Sequence, residues 1–269
     1  MSKETKGVAL VTGASSGIGA VYADRLARRG YDLILVARNR PRLEALAARL
    51  SRGSGRKVDV VEADLTSREG QARVETILKA DPAITLLVNN AGVGAAAPLL
   101  ASDVEAMARM IELNVTALTR LTYAAAPTFV ARGGGAVINI ASIVGVAPEI
   151  LNGVYGATKA FVLALTRSLH HELGQKGLKV QAVLPGATAT DFWDVAGNPV
   201  ENLPREIVMS AEDMVDASLV GFDLGELFTI PSLPEAADWE AFERSRQALA
   251  PNLSRDKPAA RYARPAAAV

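Results

Sequence analysis

The chain contains no cysteine, which removes disulfide frameworks and thiolate chemistry and makes a reducing compartment, the cytoplasm, the expected setting. Neither sign of charge is in excess. Lys and Arg total 29 and Asp and Glu total 29, so no global field draws the molecule toward nucleic acid or an anionic membrane. No apolar run approaches bilayer-spanning length, and the opening MSKETKGVALVTG places a polar stretch before an apolar one too short for a signal peptide. Repeats, charge blocks and long Gly/Ser linkers are also missing, so no domain boundary is expected before the composition changes near Pro251. These absences leave a small molecule as the expected partner, with no metal site.

What is present is length and apolar content: 269 residues at 49% hydrophobic suffice for a sizeable core in one domain. The short apolar runs VALVT, DLILVA, KVDVVEA, ITLLVN, GAVINIA and VQAVLPG alternate with stretches of helical periodicity such as RPRLEALAARL and AEDMVDASLVGF. Strands apolar on both faces need helices above and below them. The expected fold is therefore α/β: a single-domain, Rossmann-like, doubly wound parallel sheet of about seven strands with right-handed crossovers, the last strand near Glu226 to Ile230. A single domain is expected to span residues 1–250. Residues 251–269, PNLSRDKPAARYARPAAAV, mix prolines, basic residues and alanines without a usable period, and suit either a disordered tail or an arm laid on another subunit. Just before them Trp239, Phe242 and Leu249 fall at helical spacing, a terminal helix whose apolar face serves its own domain or a partner.

The first strand runs into Thr12-Gly13-Ala14-Ser15-Ser16-Gly17-Ile18-Gly19 and then a periodic helix through Tyr22 and Leu26. Strand, glycine turn and helix is a phosphate-binding order, because glycine lets the backbone approach a pyrophosphate held at the positive end of the helix. Ser15 and Ser16 add hydroxyl donors. The spacing G-x-x-x-G-x-G differs from the general dinucleotide G-x-G-x-x-G, so taken alone it also suits a structural turn. The second strand ends Val36-Ala37-Arg38-Asn39, where dinucleotide folds place an acid for the ribose hydroxyls, and no acid is there. Arg38 suits a ribose 2′-phosphate and an adenine face, or is an ordinary surface arginine. Asp64 suits a helix cap, a hydrogen bond from the adenine amino group, or both. Asn89, Asn90, Ala91 and Gly92 end the fourth strand with two amides able to tie strand ends together beside small residues that leave room for a cofactor.

Ser142 ends the fifth strand, and Tyr155 and Lys159 follow in YGATK at i, i+4, which puts phenol and ammonium on one helix face. A free phenol, with a pKa of about 10, is a poor base near neutrality, and a neighbouring cation stabilises its anion. Lowering it usefully takes roughly 3 to 4 kcal/mol, which Lys159 and an oxidised nicotinamide supply together. Ser142 would orient the substrate oxygen and stabilise its developing charge, and Tyr155 would transfer the proton. Singly, a strand-end serine is more often a turn cap, and Tyr-x-x-x-Lys more often a surface.

Taken together, TGASSGIG, NNAG, Asn114 in LNV, Ser142, YGATK and PGATAT resemble, in order and spacing, the motif set of the short-chain dehydrogenase/reductase family, from about residue 5 to 195. The resemblance implies a catalytic set of Ser142, Tyr155 and Lys159, with Asn114 supporting a proton relay through water. It implies that Lys159 binds the nicotinamide ribose hydroxyls, that Asn90 lies near the adenosine-side ribose, and that Pro185, Gly186, Thr188 and Thr190 line the carboxamide and phosphates. It implies an oxidoreductase moving hydride between NADP(H), preferred over NAD(H), and a carbonyl or alcohol carbon. A homo-oligomer is expected. The chain departs from the family's frequent glycine-rich end with GELFTIPSLPEAADWEAFERSRQAL, so dimer and tetramer both stay open. A cofactor-binding regulator and a redox-neutral isomerase or dehydratase are the alternatives on one fold. The loops GVGAAAP, IVGVAPEILNG and Asp191 to Ser210, mostly small and apolar, suit an uncharged substrate, with Glu149, Asp191, Trp193 and Asp194 as candidate selectivity residues.

Overall fold

The computed structural model describes residues 5–262. Among these, seven strands form one parallel sheet: β1 (Val8–Thr12), β2 (Asp32–Ala37), β3 (Val58–Glu62), β4 (Ile84–Asn89), β5 (Gly135–Ile140), β6 (Leu178–Val183) and β7 (Phe228–Thr229), in the order β3-β2-β1-β4-β5-β6-β7. The order reverses between β1 and β4, and in such sheets the crevice beyond the strand ends at that point receives the ligand.

Alternate side chains of each strand feed two cores. Ala9, Val11, Leu33 and Leu35 pack with Tyr22 and Leu26 of α1 (Gly17–Arg28), Leu43 and Leu46 of α2 (Arg40–Ser54), and Met214 and Leu219 of α8 (Ala211–Leu224). On the other face Leu10, Ile34, Val36, Leu87 and Val137 pack with Val74 and Leu78 of α3 (Arg68–Ala80), Leu121 and Phe129 of α5 (Leu118–Ala131), and Leu169 of α6 (Gly153–Leu173). This period-two division, with both halves covered by helices, is what makes the runs read as continuously apolar.

The edges depart from the sequence expectation. β3 is not buried on both faces: Asp59 and Glu62 are exposed, and Lys57 pairs with Asp59 at 2.7 Å, charges that discourage a further strand from adding to this edge. β7 pairs only Phe228 and Thr229 with β6, a shorter strand than the five-residue run expected; the Thr229 hydroxyl donates to the Glu226 carboxylate at 2.7 Å.

Between β4 and α5 the chain passes through α4 (Val104–Ile111) and then a π-helical stretch, Glu112–Ala117. The wider turn carries the buried Asn114, and such insertions recur at functional positions.

The chain divides after Pro231, ahead of the composition change at Pro251. The first unit holds all seven strands. The second contains α9 (Ala236–Ala248), which buries no residue; the Trp239 and Phe242 rings meet at 5.1 Å and Leu249 is exposed. Of the proposed tail 251–269, the part through Tyr262 forms exposed short turns, and 263–269 lies outside the described residues. No helix among the described residues is long and apolar enough to cross a membrane.

Candidate active site

The turn after β1 is built by glycine. Gly13 (φ 65°) and Gly17 (φ 52°) take left-handed conformations, and a Cβ on Gly19 would stand 2.3 Å from the Gly13 carbonyl oxygen and 2.5 Å from Asn90 Nδ2. Asn90 Nδ2 donates to the Thr12 and Gly13 carbonyls at 2.9 and 3.2 Å, while Thr12 Oγ1 accepts the N–H groups of Asn90 and Ala91, both at 3.0 Å. The loops after β1 and β4 are thereby clamped together. Asn89 ties β4 to β5 through Asn139 Oδ1 at 2.9 Å, so the two adjacent amides do join neighbouring elements. Ser16, the residue before α1, makes no side-chain capping bond and the first turn carries no acid, which leaves the N–H groups of α1 available to an anion.

At the end of β2, Ala37 is followed by the exposed Arg38 and by Asn39, whose Oδ1 caps α2 by accepting the Arg42 N–H at 3.0 Å. Arg42, one turn on from Arg38, reaches the Asp191 carboxylate at 3.5 Å. Asp64 does not cap α3; Ser67 does, accepting the Gly70 N–H at 3.0 Å. Asp64 instead accepts the Thr66 N–H at 2.9 Å and hydroxyl at 2.8 Å. Its partial burial raises its pKa, but those hydrogen bonds and the Arg38 charge together hold the carboxyl below its ordinary value.

At the reacting end, Asn152 caps α6 by accepting the Val154 and Tyr155 N–H groups at 2.9 and 3.3 Å, and donates to the Ala97 carbonyl at 2.7 Å. This fixes the height of Tyr155 on its helix. Lys159 lies one turn further, its Nζ 5.7 Å from the Tyr155 ring centroid and donating to the Ile140 carbonyl at 2.8 Å. Ser142 caps the short turn Ile143–Gly145, accepting the Val144 N–H at 3.4 Å, and its hydroxyl donates to the Pro185 carbonyl at 3.3 Å. It also hydrogen-bonds the Tyr155 phenol. The cap and the pairing with tyrosine coexist.

Without the nicotinamide on which the expectation also drew, the phenol is raised rather than lowered. Burial pushes Tyr155 up to about 12, outweighing the Ser142 hydrogen bond that acts the other way, and burial pulls Lys159 down to about 8. The sequence argument counted the neighbouring cation and left out desolvation. Asn114 is buried with its groups engaged: Nδ2 donates to the Val93 carbonyl at 2.8 Å and Thr158 Oγ1 at 3.2 Å, and Oδ1 accepts the Val93 N–H at 3.0 Å.

One cleft of about 710 Å³ runs from the glycine turn to Ile207. Every expected catalytic and cofactor-binding residue lines it except Gly19, which sits beneath the turn, and Asn114, which is buried beside Val93 and Thr158. The substrate end is bulkier than the loops suggested: Ile150, Leu151, Phe192, Trp193, Leu203 and Ile207 line it. Trp193 and Asp191 line the cleft, whereas Glu149 and Asp194 do not. Sequence reading missed Thr12, Arg42, Asn152 and Phe192. Only Asn152 and Arg42 left a signal, as an N-cap residue just ahead of the tyrosine helix and as a second arginine one turn after Arg38.

A phosphate-ready helix start at one end of a parallel-sheet crevice, and a buried Ser–Tyr–Lys set at the other, define the site of a nicotinamide-nucleotide oxidoreductase. The chain belongs to the short-chain dehydrogenase family, whose model matches residues 7–199. It is similar to a short-chain dehydrogenase from Sphingobium yanoikuyae solved in complex with NADPH, at 51% identity and a TM-score of 0.93 over 96% of this chain and 100% of that one. It is also similar to the bulky-bulky ketone specific alcohol dehydrogenase from Comamonas testosteroni, at 45% identity and a TM-score of 0.89 over 96% and 99%. An uncharacterized oxidoreductase of Staphylococcus epidermidis is 37% identical over 218 residues, 77% of this chain and 92% of that protein. The protein is accordingly an oxidoreductase of the NADP-binding, Rossmann-like kind, acting on a small molecule.

Proposed function

We propose that the protein moves hydride between NADP(H) and the carbonyl or alcohol carbon of an uncharged molecule with bulky apolar flanks, with Tyr155 as general acid and base. The observation that carries this reading is the buried Tyr155 phenol, paired with Ser142 and followed one turn on by Lys159, at the apolar end of the cleft that begins at the glycine turn.

The residues fit the cofactor. The uncapped N–H groups of α1 take the pyrophosphate, Arg38 the 2′-phosphate, and Lys159 Nζ the ribose hydroxyls. A Cβ on Gly17 would stand 3.1 Å from the Thr190 side chain, so the turn after β1 and the loop carrying Pro185, Gly186, Thr188 and Thr190 flank a common space suited to the phosphates and carboxamide. When bound, the nicotinamide supplies or accepts the hydride.

Ser142 gives up its long hydrogen bond to the Pro185 carbonyl and donates to the substrate oxygen. Tyr155, a phenol protonated at neutral pH, gives its proton from Oη to that oxygen as charge builds there. A protonated phenol suits the reductive direction. Lys159, one turn on from Tyr155 on the same helix face, stabilises the phenolate left behind until a solvent proton restores it. The largely apolar lining around Ile150, Leu151, Phe192, Trp193, Leu203 and Ile207 suits apolar flanks on the substrate. The Comamonas relative's preference for bulky-bulky ketones supports the same substrate class.

The test is a panel of ketones, aldehydes and alcohols followed by NADPH and NADH absorbance. Turnover of bulky ketones with NADPH is expected. Tight cofactor binding with no turnover would favour a regulator, and product formed without net cofactor change would favour a redox-neutral reaction.

A further inference from the structure

We propose that Phe192 sets the width of the substrate end of the cleft, and that it stands there because Gly94 has no side chain; this rests on the reading of the cleft as a carbonyl site. Phe192 opens α7 (Phe192–Ala196) in the loop after β6. Its ring centroid lies 5.7 Å from that of Tyr155, with the planes inclined at 45°. Trp193 meets it edge-on at 5.5 Å and is itself buried and pinned, its Nε1–H donating to the Thr188 carbonyl at 3.0 Å. From the loop after β4, the Gly94 backbone closes the third side: a Cβ there would fall 2.2 Å from Phe192 Cζ and 2.8 Å from Cε2.

The ring is thus located by the proton-transferring residue, an anchored indole and a bare backbone, while it faces the cavity. The three aromatic residues that line the cleft are not equally free. Tyr155 is committed to proton transfer and Trp193 to its hydrogen bond, whereas Phe192 is half-buried and packs by its ring against Tyr155, Trp193 and the apolar cluster around Tyr155. A substituent on a carbonyl carbon whose oxygen reaches Ser142 and Tyr155 must therefore be received beside this ring, and its bulk trades against the ring's. Apolar pockets discriminate by volume over roughly ten- to two-hundredfold, so removing one phenyl ring is enough to reorder substrates.

Acetophenone, with one methyl flank, and benzophenone, with two rings, probe this width. Phe192→Ala is expected to raise the benzophenone to acetophenone ratio of kcat/KM by about tenfold, chiefly through KM, with NADPH binding by fluorescence preserved. If F192A fails to bind NADPH, Phe192→Leu carries the same comparison. Gly94→Ala supplies the discriminating arm. It should shift the ratio by about fivefold with Phe192 present and by less than about twofold in the F192A background, since the added methyl acts by displacing the ring. An unchanged ratio in F192A, or the same Gly94→Ala shift in both backgrounds, would overturn the proposal while leaving the carbonyl reading intact. Wild-type protein that reduces no ketone on the panel would overturn that reading, and the proposal with it.

Discussion

At the scale of single residues, the proposed chemistry rests on the buried Tyr155 hydroxyl. Tyr155→Phe removes the proton and leaves the ring that packs against Phe192, so kcat should fall by about 10²- to 10⁴-fold with NADPH affinity nearly unchanged. Steady-state rates beside a fluorescence titration check this, and near-normal turnover by a folded Y155F variant would remove the tyrosine from its role. Arg38 poses a separate question of recognition. It is exposed beside Ala37 with no acid at the end of β2, so NADP(H) should be preferred by roughly tenfold to a hundredfold, as for one charge-assisted contact. Arg38→Ala should weaken NADPH more than NADH, and adding Ala37→Asp should turn the preference toward NADH by repelling the 2′-phosphate. Equal losses for both cofactors would show that Arg38 does not read the phosphate. Arg42 tempers the expectation, since it lines the same end of the cleft and is drawn off by Asp191 at 3.5 Å.

At the scale of elements, what was legible in the sequence is what local rules write. The alternation of short apolar runs with periodic stretches gave the parallel sheet, because strands buried on both faces are predominantly apolar. The glycine turn itself was legible because its demands are local: two left-handed residues and one position without room for a Cβ. Gly19→Ala tests this directly. The added methyl meets backbone at 2.3 Å and cannot be relieved by a rotamer, so the turn must open, and NADPH affinity should fall by at least about tenfold while the far-UV spectrum stays native. Retained affinity would mean that the turn does not form the phosphate seat. What was not legible depended on elements distant in sequence. Phe192 became a wall of the cleft only because the loop after β6 lies on Gly94 from the loop after β4, and the inverted shift of Tyr155 only because α6 is packed deep enough to desolvate the phenol. The π-helical stretch at Asn114 carries no sequence mark that the periodicity reveals.

At the scale of the whole molecule, the site is a stability liability that pH should expose. Lys159 is buried, and desolvation holds its ammonium at about 8 in the folded protein, against about 10.4 in an unfolded chain. Below about pH 8 both states carry the proton, and folding bears the full cost of burying the charge. Between about 8 and 10.4 the unfolded chain binds a proton that the folded protein has released, so stability rises with pH through that window, by up to about 3 kcal/mol. Tyr155 acts in a later window with the opposite sign. Its folded value near 12 lies above the free phenol's value of about 10, so its contribution is present below pH 10 and is lost as pH climbs past it. The lysine effect can therefore be read between pH 7 and 9.5. Lys159→Met keeps the packing and removes the charge, so the cofactor-free variant should be more stable than wild type at pH 7, and the gap should narrow by pH 9.5. Urea midpoints for both proteins at the two pH values measure it, the difference between them cancelling every group the substitution does not touch. A Met variant less stable than wild type at pH 7, or a gap of the same size at both values, would mean that the Ile140 carbonyl and its surroundings already compensate the buried ammonium. The same substitution should weaken NADPH and slow turnover together, so that a site gaining stability as it loses function would be seen in one variant.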